Sequence, residues 1–125
     1  MNDSKILEVI KSKTSKPIAE VGIILGSGLG SFIEEIQDKV IYSFEDLPGF
    51  PITSVEGHKS QLILGQINGI DVAVLQGRVH YYEDANIDAM KLPLQTLKSL
   101  GCSTIILTNS AGSLNPNANP GEVVL

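Results

Sequence analysis

Two apolar runs, Leu62-Ile63-Leu64-Gly65-Gln66-Ile67 and Ile70-Asp71-Val72-Ala73-Val74-Leu75, stand on either side of Asn68-Gly69. Asn-Gly suits the two-residue turn in which both central residues take positive φ, so the pair predicts an antiparallel hairpin. The second strand then delivers Gln76-Gly77-Arg78-Val79-His80-Tyr81-Tyr82-Glu83. Alternation along an extended chain lets Arg78, His80 and Tyr82 face one side as they leave the strand. A guanidinium fork, an imidazole and a phenol gathered there suit a tetrahedral oxyanion and a sugar hydroxyl, because the paired donors of arginine match phosphate oxygens. The plainer reading of the same residues is a solvated strand end carrying a charged pair.

Val21-Gly22-Ile23-Ile24-Leu25 and residues 103–108 are short β-branched runs of the kind buried in a mostly parallel sheet. Each runs straight into small residues. Gly26-Ser27-Gly28-Leu29-Gly30-Ser31 follows the first, and Asn109-Ser110-Ala111-Gly112-Ser113 follows the second. A strand, a glycine-rich turn and the helical pattern Phe32-Ile33-Glu34-Glu35-Ile36 together aim backbone N–H groups at one spot, which suits an anion. A tight turn that needs positive φ is the alternative use of the same glycines. The dinucleotide fingerprint is excluded, because Ser31 stands where its third glycine is required, and a P-loop is excluded because no lysine follows. In open α/β sheets ligands gather beyond the carboxyl ends of the strands, so both turns and the Arg78 strand end are expected around one anion. His58 follows Gly57 in a loop between two predicted strands, where it either joins that site or stands in solvent.

The remaining elements frame these. Asp3 or Ser4 caps a first helix through about Lys13, with Ile6, Leu7 and Ile10 as its apolar stripe. Residues 40–44 read as a strand stopped by the prolines and glycine of residues 47–51. Asn86 caps a helix from about Ile87 to Leu100, with Ile87, Met90, Leu94 and Leu97 on one face and Gly101 at its stop. Pro93 inside that pattern predicts a kink or a late start. Residues 121–125 look like the opening of another strand.

Composition narrows the function. Of 125 residues 42% are hydrophobic and 18% charged, which suits one soluble globular domain. The net charge of -5, without a basic run, argues against nucleic acid or an acidic membrane as a partner, so an anion must be held by local donors. No window approaches the ~18 apolar residues of a membrane span. The single Cys102 fits a reducing compartment, and a cytoplasmic location is expected. With no histidine near it in sequence, Cys102 reads as a small buried apolar residue rather than a nucleophile.

The order Gly26-Ser27-Gly28-Leu29-Gly30, Gly57-His58, Gln76 to Glu83, then Thr108-Asn109-Ser110-Ala111-Gly112 with Leu114-Asn115-Pro116, closely resembles the trimeric class of purine nucleoside phosphorylases. The resemblance runs from about Val21 to the last residue. It implies an α/β fold with a mixed, largely parallel twisted sheet flanked by helices, and makes residues 1–125 the N-terminal part of a single, here truncated, nucleoside phosphorylase-like domain. The implied reaction splits purine (deoxy)ribonucleosides into free base and (deoxy)ribose 1-phosphate, in purine salvage. Inorganic phosphate is the co-substrate, no metal or organic cofactor is implied, and the implied assembly is a homotrimer.

Carried over position by position, the resemblance gives phosphate to Ser27, His58, Arg78, His80 and the backbone N–H of Ser110. Tyr82 touches the ribose, Glu83 orients the phosphate or its neighbours, and Asn109 and Ala111 line the floor. His80 and Glu83 are the catalytic candidates. Three positions depart from the family pattern: Asp84 and Ser113 stand where glycine is usual, and Ser110 where alanine is. The purine-reading glutamate and asparagine, a further phosphate-binding serine and a histidine near the sugar belong, in the family, to a segment beyond residue 125. A methylthioadenosine phosphorylase-like enzyme and a non-catalytic phosphate- or nucleoside-binding unit are the competing readings.

Overall fold

The computed structural model describes residues 2–52, 59–78 and 86–125. Helix α1 (Asn2–Lys13) is followed by β1 (Val21–Leu25), a 3-10 helix over Gly30–Glu35, β2 (Gln37–Ser43) and a 3-10 turn over Phe44–Asp46. Strands β3 (Gln61–Ile67) and β4 (Ile70–Gln76), helix α2 (Lys91–Ser99) and β5 (Thr104–Leu107) complete the order. The five strands form one sheet in the order β2-β3-β4-β1-β5.

The predicted hairpin is β3 and β4, paired in register from Gln61 with Gln76 to Ile67 with Ile70. Asn68 and Gly69 take φ of 50° and 79°, the double positive φ that this turn requires. Strand β2 also pairs antiparallel with β3, whereas β1 lies parallel to both β4 and β5. The sheet is therefore mixed, as expected, with its parallel character confined to the half around β1.

Alternation sorts the strand residues onto two apolar faces. Ile24, Leu62, Leu64, Ala73 and Leu75 pack with Ile6 and Ile10 of α1 and with Leu97 and Leu100 on one side. On the other side Ile23, Leu25, Ile63, Val72 and Val74 pack with Ile36, while Phe32 and Ile33 of the 3-10 helix lie against them. The predicted helical pattern at residues 32–36 is thus a short 3-10 segment. Its six residues are too few for a stable α-helix, and its apolar side chains serve as a lid on the second face. Tyr42 is buried on the first face, and its hydroxyl donates to the Ile10 carbonyl at 2.8 Å.

Helix α2 takes the late start that Pro93 predicts. It begins at Lys91, so Pro93 falls in the first turn, where a missing N–H leaves no helical bond unmade. Ile87 consequently lies outside the helix and is 84% exposed. Of the predicted stripe Leu97 is buried and Met90 packs against the core, while Pro93 and Thr96 take the buried places expected for Ile87 and Leu94. The C-terminus closes as expected at Gly101 (φ 102°): the Gly101 amide donates to the Lys98 carbonyl, and the Cys102 amide reaches back to Leu97. Cys102 is half-buried beside the core, and burial pushes its thiol pKa up, in keeping with a packing role.

Two further expectations fail. Strand β5 is not buried within residues 1–125: Ile105, Ile106 and Leu107 are 39%, 46% and 72% exposed, since only β1 pairs with it among the described residues. Residues 121–125 form no strand, since the Glu122 amide turns back onto the Asn119 carbonyl and no strand edge meets them. No helix among the described residues is long and apolar enough to cross a membrane.

At the edge where β4 begins, the Lys16 ammonium lies 2.8 Å from Asp71, and the Gln66 side-chain amide donates to Asp71 at 2.8 Å. These bonds, Lys16 first, hold the Asp71 carboxyl below its ordinary pKa of 3.8. A lowered folded pKa gives stability that is present above the ordinary carboxylate range and is lost as pH falls through the folded value. The melting temperature of the parent chain is expected to fall more steeply between about pH 5 and about pH 2 than that of Asp71→Asn. Parallel profiles would contradict the assignment.

Candidate functional site

The site is a consequence of strand order. Because β1 lies parallel to β4 and β5, with Leu25 opposite Gln76 and Ile24 opposite Leu107, the three carboxyl ends stand level. The turn at residues 26–30 therefore emerges between the Arg78 strand end on one side and residues 108–111 on the other. Strand β3, antiparallel to β4, begins at the same edge, which brings Gln61 beside Gln76.

The β1 and β5 turns are held together by side chains. The Gly26 amide donates to the Thr108 hydroxyl at 2.9 Å, and that hydroxyl donates to the Ile24 carbonyl at 2.9 Å. The Thr108 amide reaches the same carbonyl at 3.1 Å. Beyond this clamp, the Ser110 hydroxyl donates to the Ser27 carbonyl at 2.9 Å. Close approach explains Gly26: a Cβ there would come within 2.7 Å of the Thr108 carbonyl oxygen and 2.9 Å of the Asn109 Cα, both backbone atoms that cannot step aside. Gly28 has φ 84°, the positive value that lets the turn reverse.

On the opposite flank, the Gln61 amide donates to the Gln76 side-chain oxygen at 2.5 Å. That bond orients the Gln76 amide nitrogen towards Gly30, where an added Cβ would lie 3.3 Å from it. Gly77 (φ 94°) then carries the chain past Ser60 to Arg78. Arg78 is half-buried, and its Nε is withdrawn from solvent with no hydrogen-bond partner among the described residues. A buried charged donor without an acceptor is costly, and an anion is the acceptor that suits a guanidinium. Across residues 26–30, 76–78 and 108–111, Arg78 carries the only full charge.

Of the residues singled out from sequence, Ser27, Arg78, Asn109, Ser110 and Ala111 are thus brought to one edge of the sheet, with Ser27, Asn109, Ser110 and Ala111 exposed. His58, His80, Tyr82 and Glu83 lie outside the described residues. Thr108, Gln61 and Gln76 have structural parts here that sequence reading gives them no reason to play. A hydroxyl or amide at a strand end is the only local signal, and its partner lies on another strand.

The family model of the phosphorylase superfamily matches residues 20–125. Purine nucleoside phosphorylase 1 of Geobacillus stearothermophilus is 42% identical over 106 residues, which cover 85% of this chain and 39% of that protein. A crystal structure of Schistosoma mansoni purine nucleoside phosphorylase in complex with inosine is 38% identical with a TM-score of 0.82, over 94% of this chain and 41% of that one. A purine nucleoside phosphorylase in complex with ribose-1-phosphate gives a TM-score of 0.84 at 39% identity, over 94% and 43% of the two chains. The chain thus spans about two fifths of the length of the relatives it matches.

The clamp generates a direct test. Thr108→Val keeps the side-chain shape but leaves the buried Gly26 amide without its acceptor, so unfolding in denaturant is expected to show a loss of about 1–3 kcal/mol. A variant as stable as the parent would mean that the hydroxyl holds nothing.

Proposed function

Because the chain belongs to the phosphorylase superfamily, we propose that it is the phosphate- and sugar-binding part of a purine nucleoside phosphorylase. The observation that carries this reading is the Nε of Arg78, buried and without a partner among the described residues, at a strand end level with two turns of small residues. The names and bound ligands of the relatives, inosine in one and ribose-1-phosphate in another, support the substrate class.

In this reading inorganic phosphate is held by the Arg78 fork, the Ser27 hydroxyl and the Ser110 backbone N–H. His58 and His80 join them by their place in the sequence motifs. Tyr82 meets the ribose, Glu83 orients the anion, and Asn109 and Ala111 form the floor. A lone pair on a phosphate oxygen forms the new bond to the anomeric carbon as the carbon–nitrogen bond breaks. The bonding electrons leave with the purine, which takes up a proton. Positive charge builds on the sugar in between, as in glycoside hydrolysis, and an anion fixed beneath it stabilises that charge. Alignment of the two reactants can supply about 7–11 kcal/mol, so positioning does most of the work and no nucleophilic side chain is needed. The reaction draws on no metal or organic cofactor, and the assembly is a homotrimer in the cytoplasm, in keeping with the free Cys102.

The test is release of hypoxanthine from inosine by the full-length protein, with and without inorganic phosphate. Arg78→Ala is expected to lower kcat/KM for phosphate roughly 10²–10³-fold, the loss typical of removing one preorganised donor to developing charge. Arg78→Lys is expected to recover only part of it, since the ammonium keeps the charge but not the fork. Base release with unchanged phosphate dependence in Arg78→Ala would overturn the assignment. Binding of phosphate and inosine by calorimetry without base release would mark a binding unit in place of an enzyme.

A further inference from the structure

The two turns are not held equally along their length. The Thr108 clamp fixes the chain as far as Gly26. Within the glycine turn itself the Leu29 amide reaches the Gly26 carbonyl at 3.4 Å, a long and weak contact. Ser27 and Gly28 are exposed, and Gly28 brings the backbone freedom of a residue without Cβ. The 2.9 Å bond from the Ser110 hydroxyl to the Ser27 carbonyl is what ties this segment across to the β5 turn.

A serine hydroxyl has one proton. With that proton given to the Ser27 carbonyl, the Ser110 oxygen presents only lone pairs to its surroundings and cannot also donate to an anion. We propose that the Ser110 side chain is a positioning group: it latches the turn at residues 26–30 to the turn at residues 108–111 and so sets how tightly the site holds phosphate. The proposal rests on the phosphorolysis reading for its kinetic arm only. The latch has two consequences. Ser27 is held in place through its own carbonyl, which leaves its exposed hydroxyl, without a partner among the described residues, to meet a ligand. The Ser110 backbone N–H makes no backbone bond among the described residues, so one residue orients its neighbour through the side chain and keeps its main chain for the anion.

The test compares Ser110→Ala and Ser110→Thr with the parent, all as full-length proteins. Amide hydrogen exchange without ligand is expected to be roughly 3- to 10-fold faster at residues 27–30 in Ser110→Ala, the factor a single net hydrogen bond gives, and close to the parent in Ser110→Thr, which keeps the hydroxyl. The phosphate KM is expected to rise by a similar factor in Ser110→Ala, with kcat within about twofold and the nucleoside KM unchanged. Exchange at residues 27–30 unaltered by the alanine, or an unaltered phosphate KM, would overturn the latch. A general loss of structure would instead speed exchange throughout the sheet. The exchange comparison needs no turnover, so it decides the latch even in a protein that releases no base from inosine, a result that would sink the phosphorolysis reading alone.

Discussion

The parallel pairing of β1 with a strand on each side is the constraint on which the rest of the structure depends. Five residues, Val21 to Leu25, are flanked by β4 and β5 and covered on both faces. Parallel pairing brings like ends together, and a central strand brings three ends together at once. A one-residue slip of β1 would exchange Ile24 with Ile23 and Leu25 between the two apolar faces, so the packing that buries these side chains also fixes the level of the turns. The core and the site are in this sense one arrangement.

Much of this was legible in the sequence. The Asn68-Gly69 hairpin, the β-branched run at Val21–Leu25, the late start forced by Pro93 and the helix stop at Gly101 are local signals, each carried by a few adjacent residues. The failures share a different character. The 3-10 segment at Gly30–Glu35 has a helical pattern but not the length, and its form was settled by packing on the second face of the sheet. The exposure of β5 depends on what lies beside it, and an edge strand and a central strand of the same composition read alike. For the helix face half of the stripe holds: Leu97 is buried and Met90 packs against the core, while Ile87 lies outside the helix and Pro93 and Thr96 are buried in place of Leu94.

The site divides along the same line. Ser27 and the glycine turn, Arg78, and the small residues after β5 stand out because their residue types are unusual at a strand end. Thr108, Gln76 and Gln61 do not, because what they do is decided by partners on other strands, joined by register alone. Electrostatics has the same local quality. A chain with net charge -5 offers an anion no general attraction, so the proposed phosphate site rests on a few local donors such as the buried Nε of Arg78.

The bonds that join the two turns span 82, 83 and 84 residues of chain. The β3–β4 hairpin closes across two, and hairpins of this kind form in roughly 1–10 μs. Contacts so far apart in sequence must wait until the intervening chain has collapsed, since each loop must be closed before its contact returns anything. The topology thus favours early closure of the β3–β4 hairpin over the contacts that join the two turns. During synthesis the glycine turn leaves the ribosome long before its partners exist. The candidate site is thereby built from contacts that local pairing cannot supply.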